Sequence, residues 1–302
     1  MSFKKKVCIT GGAGFIGSNL YKALISHGHK ITVFDDMSTG NVENLPEGAT
    51  LHVKDVNDIT AKDFDGIDVV FHCAALARVQ MSIEQPVRYH KANVNGTVSV
   101  LEAARHAGVK RLIYSASSSA YGEVKSYNLP TKECEPVHPI SPYALQKYIG
   151  EEYCRQYSMF YDLETVCLRY FNVYGEGMPT TGAYRTAIGI FKDLHKQNKP
   201  LTITNDGEQR RDFTYVKDVV NANILAMNGD STDPYLVSGY PINIGNGNNY
   251  SINEIADAFG GEREYIGPVV EPRVTLADNT YAAVHLKWEP TQDVIEWINK
   301  NK

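Results

Sequence analysis

The segment KVCITGGAGFIGSNL, residues 6–20, decides the fold of this chain. Its first residues form an apolar run that is typical of a buried strand. The glycines that follow are spaced as Gly-x-x-Gly-x-x-Gly and lead into an amphipathic segment. Such glycines allow a tight turn and a close approach of backbone to ligand, and the next helix offers its N-terminal N–H groups to a pyrophosphate. The segment predicts a dinucleotide-binding turn with contacts from Gly11, Gly14, Phe15, Ile16 and Gly17.

The alternation of strand and helix continues through the first half of the chain. Apolar runs predict strands at 6–10, 30–35, 68–74, 111–116 and 163–170, and amphipathic runs predict helices at 14–27, 86–107 and 143–161. This alternation predicts an α/β fold, a Rossmann doubly wound parallel sheet with a smaller C-terminal substrate-binding lobe. We assign residues 1–174 and 213–239 to the Rossmann domain, and 175–212 and 240–302 to the lobe.

The pattern is looser in the predicted lobe. A helix is predicted near 183–197, and residues 200–218 read as two short strands around a turn. Ser251 and Glu254 have the spacing of a capping box, which predicts the start of another helix.

Composition excludes several functional classes. A net charge of −5 and a pI near 6.0 do not indicate the excess of positive charge that binds nucleic acid or an anionic membrane. The five cysteines form no CxxC pair and the histidines show no metal-ligand spacing, so we expect a reducing compartment and neither disulfides nor a bound metal. No apolar run reaches the roughly 20 residues that span a bilayer. We therefore expect a cytoplasmic protein that does not bind a membrane.

The second predicted strand ends at Asp35, and a second acidic residue, Asp36, follows it. A carboxylate at this place accepts hydrogen bonds from an adenosine ribose and repels a 2′-phosphate. No arginine is adjacent. Gly-rich turns have other uses, but a strand before, a helix after and this carboxylate favour a dinucleotide, with NAD favoured over NADP.

The segment SPYALQK, residues 141–147, supplies the next candidates. Ser141 can cap a helix and Pro142 suits its first position, which places Tyr143 and Lys147 one turn apart on one face. A phenol has a pKa of about 10, and a nearby ammonium group and a nicotinamide cation favour its phenolate. Such a phenolate takes a proton from an alcohol while hydride leaves to NAD. By itself, a Tyr and a Lys at this spacing are also a common surface pair.

Serines follow the predicted strand 111–116, in the stretch YSASSSAYGE at 114–123. Ligands of doubly wound sheets bind at the carboxyl ends of the strands. We therefore expect chemistry at these serines.

Eight motifs together carry a family resemblance. They are GGAGFIG, FHCAALARV, NVNGT, SSSAYGE, PYALQK, LRYFNVYG, RRDFTYVKDV and NIGNG, and they span most of the chain. The sequence resembles the extended short-chain dehydrogenase/reductase family, in its nucleotide-sugar epimerase/dehydratase branch, and is most similar to the UDP-glucose and UDP-N-acetylglucosamine 4-epimerases. The resemblance implies tightly held NAD and a sugar carried on a nucleoside diphosphate.

The resemblance also implies residue roles. Ser117, Tyr143 and Lys147 would be catalytic, with Lys147 also holding the nicotinamide ribose. Asn172 and Arg211 would bind the substrate diphosphate, although an Asn can equally be a turn or cap residue and an Arg a solvated charge. Further cofactor contacts are implied for Asp55, Val56, Ala74, Ala75, Asn93, Tyr143, Lys147 and Tyr170.

Ser118 and Ser119 separate the branches of the family. Similar 4,6-dehydratases carry an Asp–Glu pair there, and a hydroxyl near neutral pH cannot replace a carboxylic acid in water loss. Decarboxylases and mannose-type dehydratases carry Glu at the second position, and fucose-type synthases Cys. The serines therefore favour a 4-epimerase and contact with the substrate. Two alternatives stay open: another enzyme of the branch, such as a 2- or 3,5-epimerase or a C4 dehydrogenase, and a non-enzymatic NAD-binding regulator.

The C-terminal region departs from the family pattern. The loop between Arg273 and Asp278 is shorter than in related epimerases, and the family's Asp is missing from it. The resemblance still implies that Arg273 reaches the diphosphate, but it leaves the contacts to the nucleoside ribose open. UDP is the favoured nucleotide, and CDP, GDP and dTDP stay open. By its spacing, Thr275 would limit bulk at the sugar's C2, and a small residue there would admit an N-acetyl group. The segment 182–191 is also similar to N-acetylhexosamine-accepting relatives.

The predicted helices 86–107 and 143–161 resemble the pair that builds a four-helix dimer interface in relatives. We expect a homodimer by this analogy.

Overall fold

The computed structural model describes residues 4–180, 185–269 and 271–302. In chain order the strands are β1 (Lys6–Thr10), β2 (Lys30–Asp35), β3 (Thr50–Val53), β4 (Val69–His72), β5 (Arg111–Ser117), β6 (Glu164–Tyr170), β7 (Val173–Tyr174), β8 (Leu201–Thr204), β9 (Arg210–Asp212), β10 (Thr214–Tyr215), β11 (Ser238–Ile244), β12 (Asn249–Ser251) and β13 (Arg263–Ile266). The helices are α1 (Phe15–Ser26), α2 (Val79–Glu84), α3 (Pro86–His90), α4 (Gly96–Ala107), α5 (Pro142–Tyr161), α6 (Ala187–Lys196), α7 (Val216–Asn228), α8 (Ile252–Phe259) and α9 (Val294–Asn301).

Seven parallel strands of the described residues form the central sheet, in the order β11-β6-β5-β4-β1-β2-β3. The chain builds outward from β1 to β3, returns across the sheet to β4, and builds outward on the other side. The strand order therefore reverses between β1 and β4, where doubly wound sheets bind their ligands. The predicted Rossmann sheet is confirmed.

Alternate residues of the strands enter two different cores. Val7 and Ile9 of β1 pack on the side covered by α1 and α7, and Cys8 packs on the side covered by α4 and α5. Because successive side chains of a strand point to opposite faces, this arrangement needs strands that are apolar throughout. The continuous apolar runs of the sequence meet that need.

The predicted helix 86–107 is a continuous helical run in which the π-helical turn Lys91–Asn95 joins α3 to α4. Its packing against α5 is fixed by hydrogen bonds at both ends. Asn93 Nδ2 donates to Gln146 Oε1 at 3.0 Å, and the Tyr157 hydroxyl donates to Glu102 Oε2 at 2.8 Å. Through these hydrogen bonds, the helical run of α3 and α4 holds the start of α5 against the carboxyl end of β5.

Small pairs of strands and a third core make up the rest of the described chain. The predicted strands of 200–218 form as β8 and β9, but β8 pairs with β13 and β9 with β12. The predicted capping box is present, with Glu254 N donating to Ser251 Oγ at 3.0 Å. The helix expected near 183–197 is described only from 185 onward, and α6 begins at Ala187.

Strands β3 and β11 were not predicted. Since β11 lies in the central sheet beside β6, the boundary expected between 239 and 240 falls within a strand. The division into two lobes stays a prediction. Among the described residues no helix is both long and apolar enough to cross a membrane.

Candidate active site

A cavity of about 910 Å³ lies along the carboxyl ends of the central strands. This volume is near the upper end of the roughly 300–1,000 Å³ range of ligand pockets. The cavity reaches from the glycine turn to β8 and β9. The predicted residues that line it are Gly11, Gly14, Phe15, Ile16, Gly17, Asp35, Asp36, Asp55, Val56, Ala74, Ala75, Ser117, Ser118, Ser119, Tyr143, Tyr170, Asn172, Arg211 and Thr275.

Three predicted site residues are not among those that line the cavity: Asn93, Lys147 and Arg273. Asn93 is buried, and its amide holds the backbone N–H and carbonyl of Leu76 at 2.8 and 3.0 Å. It therefore fixes the segment that follows β4. Arg273 is exposed, and its guanidinium pairs with Asp206 at 2.7 Å beside a smaller hollow of about 320 Å³, which shares Gln209 and Glu271 with the wall of the cavity.

The glycine turn fits the pyrophosphate of a dinucleotide. Gly11 has a φ of +70°, and a Cβ there would lie 2.6 Å from the backbone nitrogen of Ala74. Gly14 is the N-cap of α1, and no side chain of the described residues caps this helix. A phosphate is thus offered uncapped N–H groups at a helix start without an intervening side chain.

Two carboxylates lie at the far end of this turn. The oxygens of Asp35 accept the N–H groups of Ala13 and Met37, each at 2.9 Å, and burial raises the pKa of this carboxyl. Asp36 is exposed in the cavity and accepts from Ser38 N and Oγ at 2.9 and 2.6 Å. Both groups remain available as acceptors for ribose hydroxyls, since a carboxylate has about four lone-pair sites.

The N-terminus of α5 brings Tyr143 to the end of β5. Ser141 caps the helix by accepting Ala144 N at 3.2 Å, and Ser82 Oγ accepts Tyr143 N at 3.1 Å. The phenol of Tyr143 has a side-chain hydrogen bond with Ser117. Two elements that are distant in sequence thus place a hydroxyl and a phenol together at the cavity wall.

Lys147 lies one turn further along α5, in the protein interior. Its Nζ donates to the carbonyl of Ser115 at 2.8 Å and lies 4.9 Å from the centre of the Tyr114 ring. Burial lowers the pKa of this ammonium group to about 8. The lysine is thus anchored on β5, two residues before Ser117.

The ionisation of Tyr143 is set by two opposing effects. Burial raises the pKa of the phenol above its ordinary value, and the hydrogen bond with Ser117 lowers it. Burial is the larger effect, so the phenol is neutral near pH 7 in the protein without ligands. A positive charge brought by a cofactor would favour the phenolate.

Arg211 lies on β9 at the other end of the cavity. Its guanidinium donates to Glu271 Oε2 at 2.6 Å and to the carbonyl of Arg210 at 2.8 Å. Glu271 also lines the cavity and accepts from Gln209 and Asn205 at 3.2 and 3.0 Å. Glu271 was not predicted, because only the fold brings it next to Arg211; its place two residues before Arg273 is the one local signal.

Asn172 and Thr275 are brought together beside Arg211. Asn172 Nδ2 donates to the carbonyl of Asp212 at 2.8 Å and to Thr275 Oγ1 at 3.3 Å. Buried Asp212, also not predicted, accepts the N–H groups of Asn246, Gly247 and Ala277 at 2.7, 3.0 and 3.0 Å. It therefore joins β9 to the segment that carries Thr275.

Comparison with known proteins agrees with this geometry. The model of a family described as "NAD dependent epimerase/dehydratase family" matches residues 7–245. The chain belongs to this family. A UDP-glucose 4-epimerase of Mycolicibacterium smegmatis is 35% identical over 98% of this chain and 96% of its own length.

Two solved structures are similar over nearly their whole length. A UDP-glucose 4-epimerase of Thermotoga maritima with UDP-glucose has a TM-score of 0.91 and 35% identity, covering 98% of this chain and 97% of that one. A UDP-N-acetylglucosamine 4-epimerase of Methanobrevibacter ruminantium, in complex with UDP-N-acetylmuramic acid, has a TM-score of 0.90 and 34% identity, covering 99% and 97%. The predicted family and its dependence on NAD are confirmed.

Proposed function

We propose that the protein epimerises a nucleoside diphosphate sugar at C4 through a transient 4-keto sugar, with UDP as the nucleotide. The observation that carries this proposal is the meeting of Tyr143 and Ser117 at the wall of a cavity that also contains the glycine turn. The named activities of the similar proteins support the same reaction.

Each residue of the cluster has a role in this reaction. Tyr143 removes the proton of the sugar's C4 hydroxyl, and Ser117 hydrogen-bonds the same oxygen. Lys147, anchored on the Ser115 carbonyl, positions the cofactor ribose and adds positive charge near the phenol. NAD held at the glycine turn would supply the hydride carrier for this oxidation and for the return of hydride to the other face of the sugar.

The charges of the cavity support epimerisation over dehydration. Among the described lining residues the carboxylates are Asp35, Asp36, Asp55 and Glu271. Asp35 ends β2 and Asp36 follows it, and β2 lies three strand spacings, or about 14 Å, from β5; Asp55 follows β3, which lies one spacing further away. Glu271 is paired with Arg211. No carboxyl among these is placed to protonate a leaving hydroxyl beside Ser117.

The substrate would span the cavity from Ser117 to Arg211. We assign Arg211 and Asn172 to the diphosphate, since a guanidinium binds phosphate oxygens two at a time. For Arg211 this requires that the diphosphate displace Glu271. Thr275 lines the cavity and contacts Asn172, and its small side chain leaves room for an N-acetyl group. In a Thr275→Tyr enzyme, activity on N-acetylated sugars should therefore fall more than activity on plain hexoses.

The first test uses the purified protein without added NAD. UDP-glucose and UDP-N-acetylglucosamine are incubated separately, and products are followed by proton NMR. The C4 epimer of either sugar is the expected result. Absence of any epimer, with NAD identified in the denatured protein's supernatant, would overturn the reaction while leaving the family intact.

A matched pair of tyrosine variants tests the assigned base. Tyr143→Phe should lower kcat by at least about 100-fold and leave NAD bound, because one hydroxyl of the catalytic cluster is lost. Tyr153→Phe is the control, since Tyr153 lies on the exposed side of the same helix. Full activity of Tyr143→Phe would refute the mechanism.

We also propose that the protein works in the cytoplasm as a homodimer. The free cysteines suit a reducing compartment. The dimer is supported by apolar side chains on the outer faces of α3 and α5: Val87, Leu145, Tyr153, Met159 and Phe160 are each more than a third exposed.

A further inference from the structure

A buried ion pair on the inner side of α5 has no role in the reaction described above. Glu151 of α5 and Arg169 of β6 are each 2% exposed. The guanidinium donates from Nε to Glu151 Oε1 at 2.9 Å and from Nη2 to Oε2 at 2.6 Å, a forked geometry that is typical of a carboxylate. Replacing a buried pair of this kind by apolar side chains is often neutral or stabilising. Stability is therefore a weak reason for two charges at this place.

On the helix side, the pair continues the row of catalytic residues. Tyr143, Lys147 and Glu151 follow each other at intervals of four residues, so they share one side of α5. Lys147 is already anchored by the hydrogen bond from its Nζ to the carbonyl of Ser115. Glu151 is thus the next side chain behind Lys147 on the same side of the helix.

On the sheet side, Arg169 lies level with the catalytic end of β5. Its register partner on β5 is Ala116, which stands between Ser115 and Ser117. Ser115 holds Lys147, and Ser117 hydrogen-bonds the phenol of the base. The fork between Arg169 and Glu151 therefore joins α5 to the sheet at the level where the catalytic side chains meet.

Glu151 is also the carboxylate that interacts with the ammonium group of Lys147. Burial lowers the pKa of Lys147 to about 8, and the negative charge of Glu151 opposes this effect. The other titratable groups of the described residues around Lys147 are Cys73, Cys154 and His72. His72 is neutral, since burial lowers its pKa to about 3, and a thiol carries no charge until it ionises. Near pH 7 the negative charge facing Lys147 is therefore that of Glu151.

Two cations face Glu151 itself, Arg169 and Lys147. Burial raises the pKa of the Glu151 carboxyl, and Arg169 acts in the opposite direction. The adjacent Glu152 pairs with Arg155 at 2.9 Å on the outer side of the helix. The other titratable groups around the pair are Tyr114, Tyr121, Tyr148, Cys167 and Glu133. Burial raises the pKa of each of them, so the phenols and the thiol are neutral near pH 7.

We propose that Glu151 and Arg169 are positioning residues of the epimerisation: Arg169 holds Glu151 against the sheet, and Glu151 keeps Lys147 an ammonium group. The inference rests on the proposed function and adds no contact to substrate or cofactor. The positive charge of Lys147 favours the phenolate of Tyr143, so the charge of Glu151 reaches the base through Lys147. The buried pair thereby sets the upper end of the pH range in which the enzyme works.

The test removes the charge of Glu151 and keeps its shape. In Glu151→Gln the amide oxygen still accepts from Arg169, but the midpoint at which Lys147 loses its proton should fall by about one pH unit. At about pH 9.5, above both midpoints, kcat should therefore fall about tenfold, whereas at about pH 6 it should stay within about twofold of the wild type. A merely structural defect would lower kcat by the same factor at both pH values, and that result would overturn the inference.

NMR of the NAD-containing protein with ¹³C-labelled lysine follows the same proton without turnover. The Lys147 signal is identified by its loss in Lys147→Arg, and its midpoint should move to lower pH in Glu151→Gln. Glu152→Gln is the matched control, because it removes the adjacent carboxylate on the outer side of the helix. An unchanged midpoint in Glu151→Gln, or an equal shift in Glu152→Gln, would contradict the inference. If the wild type forms no epimer, the proposed function fails, and the midpoints still decide whether Glu151 sets the charge of Lys147.

A double variant, Glu151→Met/Arg169→Met, covers the case in which Glu151→Gln does not fold. It replaces both partners by apolar side chains of similar length and leaves no unpaired buried guanidinium. The midpoint of Lys147 should again lie below that of the wild type, because Lys147 loses the carboxylate that faces it. A wild-type midpoint in this folded variant would remove Glu151 from the ionisation of Lys147.

Discussion

At the scale of single residues, the site depends on hydroxyl groups that share hydrogen bonds. Ser117 Oγ contacts Ser119 Oγ at 2.8 Å and accepts Ser119 N at 3.2 Å, which opens the turn at the end of β5. The same hydroxyl binds the Tyr143 phenol and lowers its pKa. Ser117 thus has both a structural and an electrostatic effect on the base.

Removing this hydroxyl should change the pH dependence of the reaction. In Ser117→Ala the pKa of Tyr143 rises, because burial is no longer opposed by the hydrogen bond. The base must lose its proton, so the rising limb of kcat against pH should move to higher pH by about 0.5–1 unit, and kcat at pH 7 should fall about 10- to 100-fold. Rate profiles between pH 6 and 10 measure both effects.

Ser119→Ala is the control for that profile, since it leaves the Ser117 hydroxyl beside the phenol. Its midpoint should stay at the wild-type pH. A Ser117→Ala enzyme whose midpoint also stays in place would remove Ser117 from the ionisation of the base.

The residues that sequence reasoning identified share one property: their signal is local. The glycine spacing is set by a turn and the Tyr–Lys spacing by one helical repeat, so the sequence alone predicts these site residues. Glu271 has no such local signal, because it meets Arg211 only through the fold. Asp212 lies within the motif RRDFTYVKDV, but its partners come from distant segments, so the motif does not show its role. The placement of Arg273 on Asp206 likewise depends on a loop whose course no spacing predicts.

At the scale of elements, the contact between α5 and β5 aligns the catalytic residues. Gly150 faces the buried Tyr114, and a Cβ at Gly150 would collide with the Tyr114 hydroxyl and lie 2.6 Å from its ring carbon Cζ. The glycine therefore allows the helix to approach the strand. This approach lets Lys147 reach the Ser115 carbonyl at 2.8 Å.

The direction of the stability change caused by Gly150→Ala tests this contact. In an exposed helix, Gly→Ala stabilises by up to about 1 kcal/mol. Here Gly150→Ala should destabilise the protein by about 1–3 kcal/mol in urea unfolding, because the added methyl group overpacks the interface. Activity should fall as well, since α5 carries Tyr143 and Lys147. Increased stability would show that the interface has room.

A double variant identifies the atom responsible. Tyr114→Phe removes the hydroxyl that the new Cβ would meet first, so Gly150→Ala should cost less in that background. Equal costs in both backgrounds would mean that the hydroxyl is not the obstacle.

At the scale of the whole molecule, the fold followed from the strands that are continuous apolar runs. Strand β11 was not predicted because its sequence, SGYPINI, contains Gly239 and Pro241. Its register also shifts between Ser238 and Pro241. Glycine and proline inside a strand pattern indicate a turn, and proline is tolerated on an edge strand such as this one. Of the two strands of the central sheet that were not predicted, β11 is the one that links the tail of the chain to the sheet.

The outer surface of α5 carries exposed apolar side chains that favour association of two copies of the chain. Lys147, Gly150 and Cys154 are buried on one side of this helix, and Leu145 and Phe160 are 48% and 64% exposed on the other. Val87 of α3, which packs beside α5, is 82% exposed. An apolar surface shared by two adjacent helices is stabilised when a second copy covers it in a two-fold arrangement.

Light scattering should therefore give a mass twice the 33.6 kDa of the chain. A Val87→Glu/Leu145→Glu double variant should shift the mass to that of one chain, because association would bury unpaired carboxylates of both copies. Val42→Glu is the control, since Val42 is 58% exposed on a separate 3₁₀ turn. A monomeric wild type would refute the dimer, and a dimer that persists in the double variant would place its interface on another face.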